Sequence, residues 1–495
     1  MASVTYVLFN SIAFLVFFPV VVGLYFALPY RWRWMWLLAT SYFFYMYWRA
    51  EYALLIFGST VVDFLVAQKM AATDDRAKRL PWLLLSFATN LGLLFTFKYY
   101  GFFTDSAVAI ASAAGLEVAA PALNLLLPVG ISFYTFQTLG YSIDVYKGEV
   151  EPERHFGRFA LYVSFFPQLV AGPIERAGHL LPQLRADQDF DYDRALDGLQ
   201  QMTRGMFKKV VVADRLAVYV NSVYADPGSF SGLQLIVATY FFAFQIYCDF
   251  SGYTDIAIGA AKVLGIDLME NFRRPYLATS ISDFWKRWHI SLSTWFRDYL
   301  YIPLGGNRVS KNRWYANLFI VFVVSGLWHG ANWTFVVWGA LHGGYLIGAI
   351  LTANLREKAL PKVGSRRRWV FDVTVTFHLA LVAWVFFRAN HVTDAFLVFS
   401  RSLVDLPEQL MMFATLDYRA LDVLMVLEVG GTRLDFVLSL LGVVYVMSSD
   451  LGAELVPKQL AEAPWMARMV YYDLLVLGML LLGMFGQTSF IYFQF

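Results

Sequence analysis

The sequence predicts an all-α polytopic membrane protein, and three observations carry that reading. Of its 495 residues, 58% are hydrophobic and only 15% charged, where soluble domains carry about 25% charged residues. Aromatic residues reach 18%. Apolar runs recur along the whole chain between short charged loops, the pattern expected of helices that satisfy their own backbone hydrogen bonds in lipid. The net charge of +2 says little about partners, but no basic stripe stands clear of the apolar runs, which argues against nucleic acid. The lone Cys248 excludes an intramolecular disulfide framework and argues against a zinc-thiolate site, so no metal is expected.

The first run, 6–28, has no basic segment before it and no small-residue cleavage site after it, which predicts a retained helix. Further runs follow at 34–48, 52–68, 82–103, 121–140, 156–173, 233–264, 314–328, 332–353, 369–388, 434–447 and 468–492. Several fall short of the ~20 residues a straight span needs. The expectation is therefore roughly eleven transmembrane helices with additional re-entrant and interfacial pieces, in one integral-membrane domain over 1–495 and without internal repeats. Lysine and arginine gather on cytoplasmic loops. Arg31 and Arg33 follow the first run, and 68–79, 305–313 and 354–368 are basic too. This orientation places the N-terminus outside and the first loop inside.

Both flanks of 314–353 are then cytoplasmic. From Trp314 a helix rising 1.5 Å per residue reaches His329 after roughly 22 Å, inside a hydrocarbon core roughly 30 Å thick. Gly330 and Asn332 predict a chain break there, glycine by tolerating positive φ and asparagine by capping a new helix. Broken backbone at that depth implies a protein-lined cavity. Between 273 and 308 aromatics mix with charges. Helical spacing puts Trp285, His289, Leu292 and Phe296 on one face and Lys286, Ser293 and Arg297 on another. Ser282 is the expected N-cap, and Pro303 with Gly305-Gly306 the stop. Such a helix suits the inner interface or a wet vestibule.

An ionisable residue inside a membrane segment is by default a functional candidate, which favours a role for His329 over a hydrogen-bonded structural one. For His289 the bland alternative, a ring bridging headgroup and core, weighs more on position alone. His342 and His378 read as packing residues. Asp249 and Asp255 lie in the apolar "YCDFSGYTD" (247–255). Capping a helix that begins at Ser251 is the plainer role for Asp249, and a substrate-facing carboxylate the sharper one. Cys248 reads as packing. Arg204, Lys208, Lys209 and Arg215 suit an anionic donor, yet inside-positive bias alone accounts for them.

Longer stretches carry a resemblance: "LPVGISFYTFQTLGYSIDVYKG" (127–148), "SFFPQLVAGPIER" (164–176), "FKKVVVADRLA" (207–217), "YCDFSGYTDIAIG" (247–259), "NFRRPYLATSISDFWKRWHISLSTWFRDYLYIPLGGNR" (271–308) and "GLWHGANWTFVVWGALHG" (326–343). The chain resembles the membrane-bound O-acyltransferase family, above all its bacterial branch that acetylates exported polysaccharides such as alginate. The likeness is strongest over 120–390 and weak over 400–495. It implies helices around a central tunnel where a cytosolic acyl donor meets an acceptor from the far side. It also implies that His329 and His289 are the family's paired catalytic histidines. No tightly bound cofactor follows; the donor would be acetyl-CoA or another acyl thioester, on a carrier protein for instance. Periplasmic acetyltransferases are the expected partners.

Neutral imidazole, with a reference pKa of about 6.5, suits a general base for acyl transfer to a hydroxyl near neutral pH. Asn332 or an indole N–H, from Trp328 or Trp285, is a candidate oxyanion or substrate contact. Asp249 and Arg297 complete the substrate-binding candidates. Competing readings are D-alanyl or peptidoglycan O-acyl transfer, a transporter that moves an acyl group or glycan without chemistry, and a scaffold for periplasmic enzymes.

Overall fold

The computed structural model describes residues 9–119, 123, 125–170, 172–360, 362, 364–415, 417, 432–455, 463–485 and 490–491. Among them the regular structure is helical, with no strand. Two packed units emerge, one from Met1–Met202 and Thr254–Glu270, the other from Thr203–Tyr253 and Asn271–Phe495.

In the first unit, α1 (Ile12–Ala27) begins where the Ser11 side chain accepts the Phe14 N–H, and α2 spans Tyr30–Met46. Then come α3 (Ala53–Ala71), α4 (Arg76–Leu94), α5 (Tyr100–Ala113), α6 (Ile131–Lys147), α7 (Phe156–Ser164) and α8 (Ala177–Arg185), with most of α9 (Tyr192–Phe207). Helix α6 starts ten residues into the expected 121–140 run, because Gly130 turns the chain at φ +75; residues 121, 122 and 124 lie outside the described set. The 156–173 run is no single span either. It breaks after Ser164, where Phe165 leaves the helix at φ −51, ψ 111 and Pro167 stands in the first turn of a separate short helix. At the centre, buried Asp63 on α3 accepts hydrogen bonds from Ser86 Oγ (2.5 Å) and Asn90 Nδ2 (2.8 Å) on α4. Ser142 Oγ on α6 lies 3.0 Å from Ser86 Oγ, whose single proton goes to Asp63, so Ser142 is the donor in this second bond.

The second unit holds α10 (Asp214–Ala225), much of α11 (Leu233–Val263), then α12 (Ile281–Arg287), α13 (Ile290–Phe296), α14 (Lys311–His329), α15 (Trp333–Leu351) and α16 (Arg366–Arg388). It ends with α17 (Val392–Arg401), α18 (Leu406–Ala414), α19 (Arg433–Leu455) and α20 (Trp465–Leu482). Helices α14 and α15 form a close hairpin built on glycine. A Cβ at Gly326 would sit 2.2 Å from the Phe335 carbonyl oxygen, and one at Gly339 2.2 Å from that of Phe322. Small residues let helices approach this closely where lipid supplies no hydrophobic drive.

Seven described helices are long and apolar enough to cross a membrane, and Ile12–Ala27 is apolar but shorter. The expected eleven is not reached on that criterion, and α14 falls outside the seven.

Candidate active site

The 273–308 segment is not one amphipathic helix. Helix α12 is capped by Ser280, two residues before the expected Ser282: its Oγ accepts the Asp283 N–H at 3.0 Å while Asp283 Oδ2 accepts the Thr279 N–H at 3.0 Å. The helix then stops. Trp288 is extended and His289 takes φ +44, ψ 55, a left-handed conformation that non-glycine residues seldom adopt. The spacing that placed His289 on a stripe with Trp285, Leu292 and Phe296 therefore fails at His289.

Asn271 holds the break together. Its carbonyl oxygen accepts the Ile290 N–H at 2.9 Å. Its Oδ1 sits 3.2 Å from Ser291 N, 2.9 Å from Ser291 Oγ and 3.1 Å from His289 Nδ1. A backbone N–H can only donate, so this Asn271 atom is oxygen and His289 Nδ1 carries the proton. The lone pair of neutral His289 is thereby assigned to Nε2. Burial pushes the pKa of this imidazole, which lies between two short helices outside the spanning set, down to about 3.

His329 is the last residue of α14, and the expected break follows it. Gly330, however, is extended, with φ −163, so positive φ is not why glycine stands there. A Cβ would lie 2.1 Å from the Phe335 ring. Asn332 caps α15 as expected, Oδ1 accepting the Thr334 N–H at 3.0 Å and Nδ2 donating to the Asn390 carbonyl at 2.9 Å. The amide oxygen serves the cap, and the amide nitrogen ties it to the chain just beyond α16, which ends at Arg388.

The two imidazoles meet inside a nest of rings. Their centroids are 6.3 Å apart, with Trp328 at 5.0 Å from His329 and 5.8 Å from His289. Trp338 lies 4.9 Å from His329 and 4.9 Å from His342. His342, taken from sequence as a packing residue, is fully buried in the same cluster, and Trp285 Nε1 donates to its Nδ1 at 3.2 Å. Neither Asn271 nor His342 stood out in the sequence. The available signals were that Asn271 opens the long motif containing His289 and that His342 lies one turn beyond Trp338.

A cavity of about 430 Å³ adjoins this nest. Its walls include Trp285, Ile290 beside His289, and Ser325 one turn before His329. Lys286, Ser293 and Arg297, the expected polar face, all line it, and both cations are exposed. Arg297 Nε also pairs with Asp298 at 2.7 Å. Neither histidine is among the lining residues.

Asp249 is elsewhere. It sits within α11 and caps no helix at Ser251, pairing with Lys209 Nζ at 2.6 Å and accepting the Ile491 N–H at 2.7 Å. Lys209 also pairs with Asp214 at 2.7 Å, Arg215 with Asp435, and Arg204 donates to the Tyr472 hydroxyl. Asp255 accepts from Gln201 at 3.1 Å. Cys248 is buried, and His378 Nε2 lies 2.7 Å from the Tyr240 hydroxyl.

Residues 154–389, which enclose Asn271 and all three clustered histidines, match the model of the membrane-bound O-acyltransferase family. The chain is also 41% identical to the probable alginate O-acetylase of Azotobacter vinelandii, over 79% of its own length and 77% of the relative's. It belongs to the membrane-bound O-acyltransferase family. The probable alginate O-acetylase of Pseudomonas aeruginosa is 41% identical over 78% of this chain and 73% of its own. The peptidoglycan O-acetyltransferase of Helicobacter pylori is 38% identical over 72% and 71%. As a member of this family the chain is a multi-pass membrane protein and an O-acyltransferase.

Proposed function

We propose that this O-acyltransferase moves an acetyl group from a cytosolic thioester, acetyl-CoA or a carrier-bound equivalent, across the bacterial inner membrane for O-acetylation of an exported polysaccharide such as alginate. It would work with periplasmic acetyltransferases and hold its N-terminus in the periplasm. The supporting observation is the pairing of His289 and His329 within 6.3 Å in a buried aromatic nest beside a cavity with a cationic rim.

In this reading His329 takes the proton of the attacking hydroxyl as its oxygen bonds to the thioester carbon. The C–S bond then breaks and the leaving sulfur receives that proton. His289, with its lone pair on Nε2, serves as a second acceptor that positions or relays the proton. Lys286 and Arg297 attract the donor's anionic groups, and the aromatic walls exclude water that would hydrolyse the thioester.

The 38% identity to a peptidoglycan O-acetyltransferase supports a second acceptor class, peptidoglycan hydroxyls. Purified protein in lipid, given acetyl thioester and either soluble acceptor, tests the proposal: free thiol released with acceptor O-acetylation is expected. Translocation without thiol release would instead establish a transporter.

A further inference from the structure

Neither His289 nor His329 lines the cavity, and the Trp285 side chain connects its wall to the aromatic nest. Trp285 lines the cavity, while its indole lies 5.6 Å from Trp338, which in turn lies 4.9 Å from His329. Ile290 and Ser325 bring the same cavity within one residue of His289 and one helical turn of His329. Through Trp338 the Trp285 indole links the cavity wall to His329, so an acyl group that approaches His329 along this wall meets the indole.

That face is held firmly. Phe284, Phe322 and His342 pack around the indole at centroid distances of 5.5, 5.2 and 5.0 Å. Its only polar atom donates to His342 Nδ1 at 3.2 Å. His342 itself is fixed on α15, whose Gly339 and Gly343 lock that helix against α14. An indole clamped by three rings and a hydrogen bond does not yield to a longer chain without losing these contacts.

Resting on the O-acyltransferase reading above, we propose that Trp285 sets the length of the transferred acyl group, restricting it to a short one, and that His342 is the positioning residue that latches the indole. Trp285 acts by volume and His342 acts through Trp285. In an apolar pocket each methylene accommodated or refused is worth about 10–200-fold in kcat/KM.

The test compares acetyl and butyryl thioesters of one carrier thiol, read as the ratio of their kcat/KM values in purified protein. W285A is expected to raise the butyryl-to-acetyl ratio at least about tenfold. H342L, which removes the latch, shifts the ratio the same way by less, and H342N, which restores an acceptor, returns it toward wild type. W285F covers a failure of W285A to insert: it keeps a ring but loses volume and donor, so its ratio rises modestly. A ratio unchanged in W285A, or in W285F and H342L together, overturns the assignment while leaving the acyltransferase reading intact. Wild-type protein that transfers neither acyl group overturns both.

Discussion

Two regions bury ionisable side chains among apolar helices, and they satisfy them by opposite means. Around Asp63 the neighbouring helices supply hydroxyls and an amide, so that Ser86 and Asn90 from α4 both donate to one carboxylate and Ser142 of α6 joins through Ser86. Around His329 they supply Trp328, Trp338 and Phe387 at 5.0, 4.9 and 5.5 Å. Polar anchoring of the other imidazoles is through Nδ1, His289 by Asn271 and His342 by Trp285. A carboxylate bound from several sides pins helices together. An imidazole held at Nδ1 and walled by rings has its orientation fixed by one polar contact.

Disturbing the two regions is therefore expected to have different consequences. Replacing His289 by alanine is expected to lower acyl transfer by about 10²-fold, the lower end of general acid–base contributions, with little change in thermal stability in detergent. Near-normal turnover would return His289 to packing. Gly339→Val forces a side chain against the Phe322 carbonyl and is expected to cost about 3 kcal/mol, seen as a lowered unfolding temperature. Asp63→Ala is expected to destabilise by about 2 kcal/mol through the orphaned amide and hydroxyl, while kcat/KM of the folded fraction stays within about twofold. A large kinetic defect there would erase the distinction between the regions. Asn271→Ala frees the His289 ring and is expected to lower kcat about tenfold, or about 1.4 kcal/mol. The smallest effect is on acid stability. His289 titrates near 3 when folded and near ~6.5 unfolded, so the unfolded chain binds more protons in between. Stability therefore falls as pH drops from about 6.5 toward 3, and His289→Asn is expected to flatten that slope.

Much of this was legible in the sequence, and the exceptions have physical causes. The break after His329 and the Asn332 cap follow from local chemistry, because capping needs only neighbouring residues. The reason for Gly330 did not, since it lies in a ring from the next helix. Periodicity misplaced His289 because a left-handed residue supported by distant Asn271 interrupts the helix, and no local pattern reports such support. Asp249 looked like a cap from its neighbours; its partners, Lys209 and Ile491, are 40 residues before it and 242 after it. His342 passed as packing because its significance is relational, arising from an indole 57 residues away.

The proposed chemistry turns on His329 as the acceptor of the attacking hydroxyl's proton. Its most direct test is acceptor-dependent thiol release from an acetyl thioester by purified His329→Ala protein that inserts and unfolds like wild type. The expected rate is lower than wild type by at least about 10²-fold, with donor binding retained. Release within about twofold of wild type would contradict it.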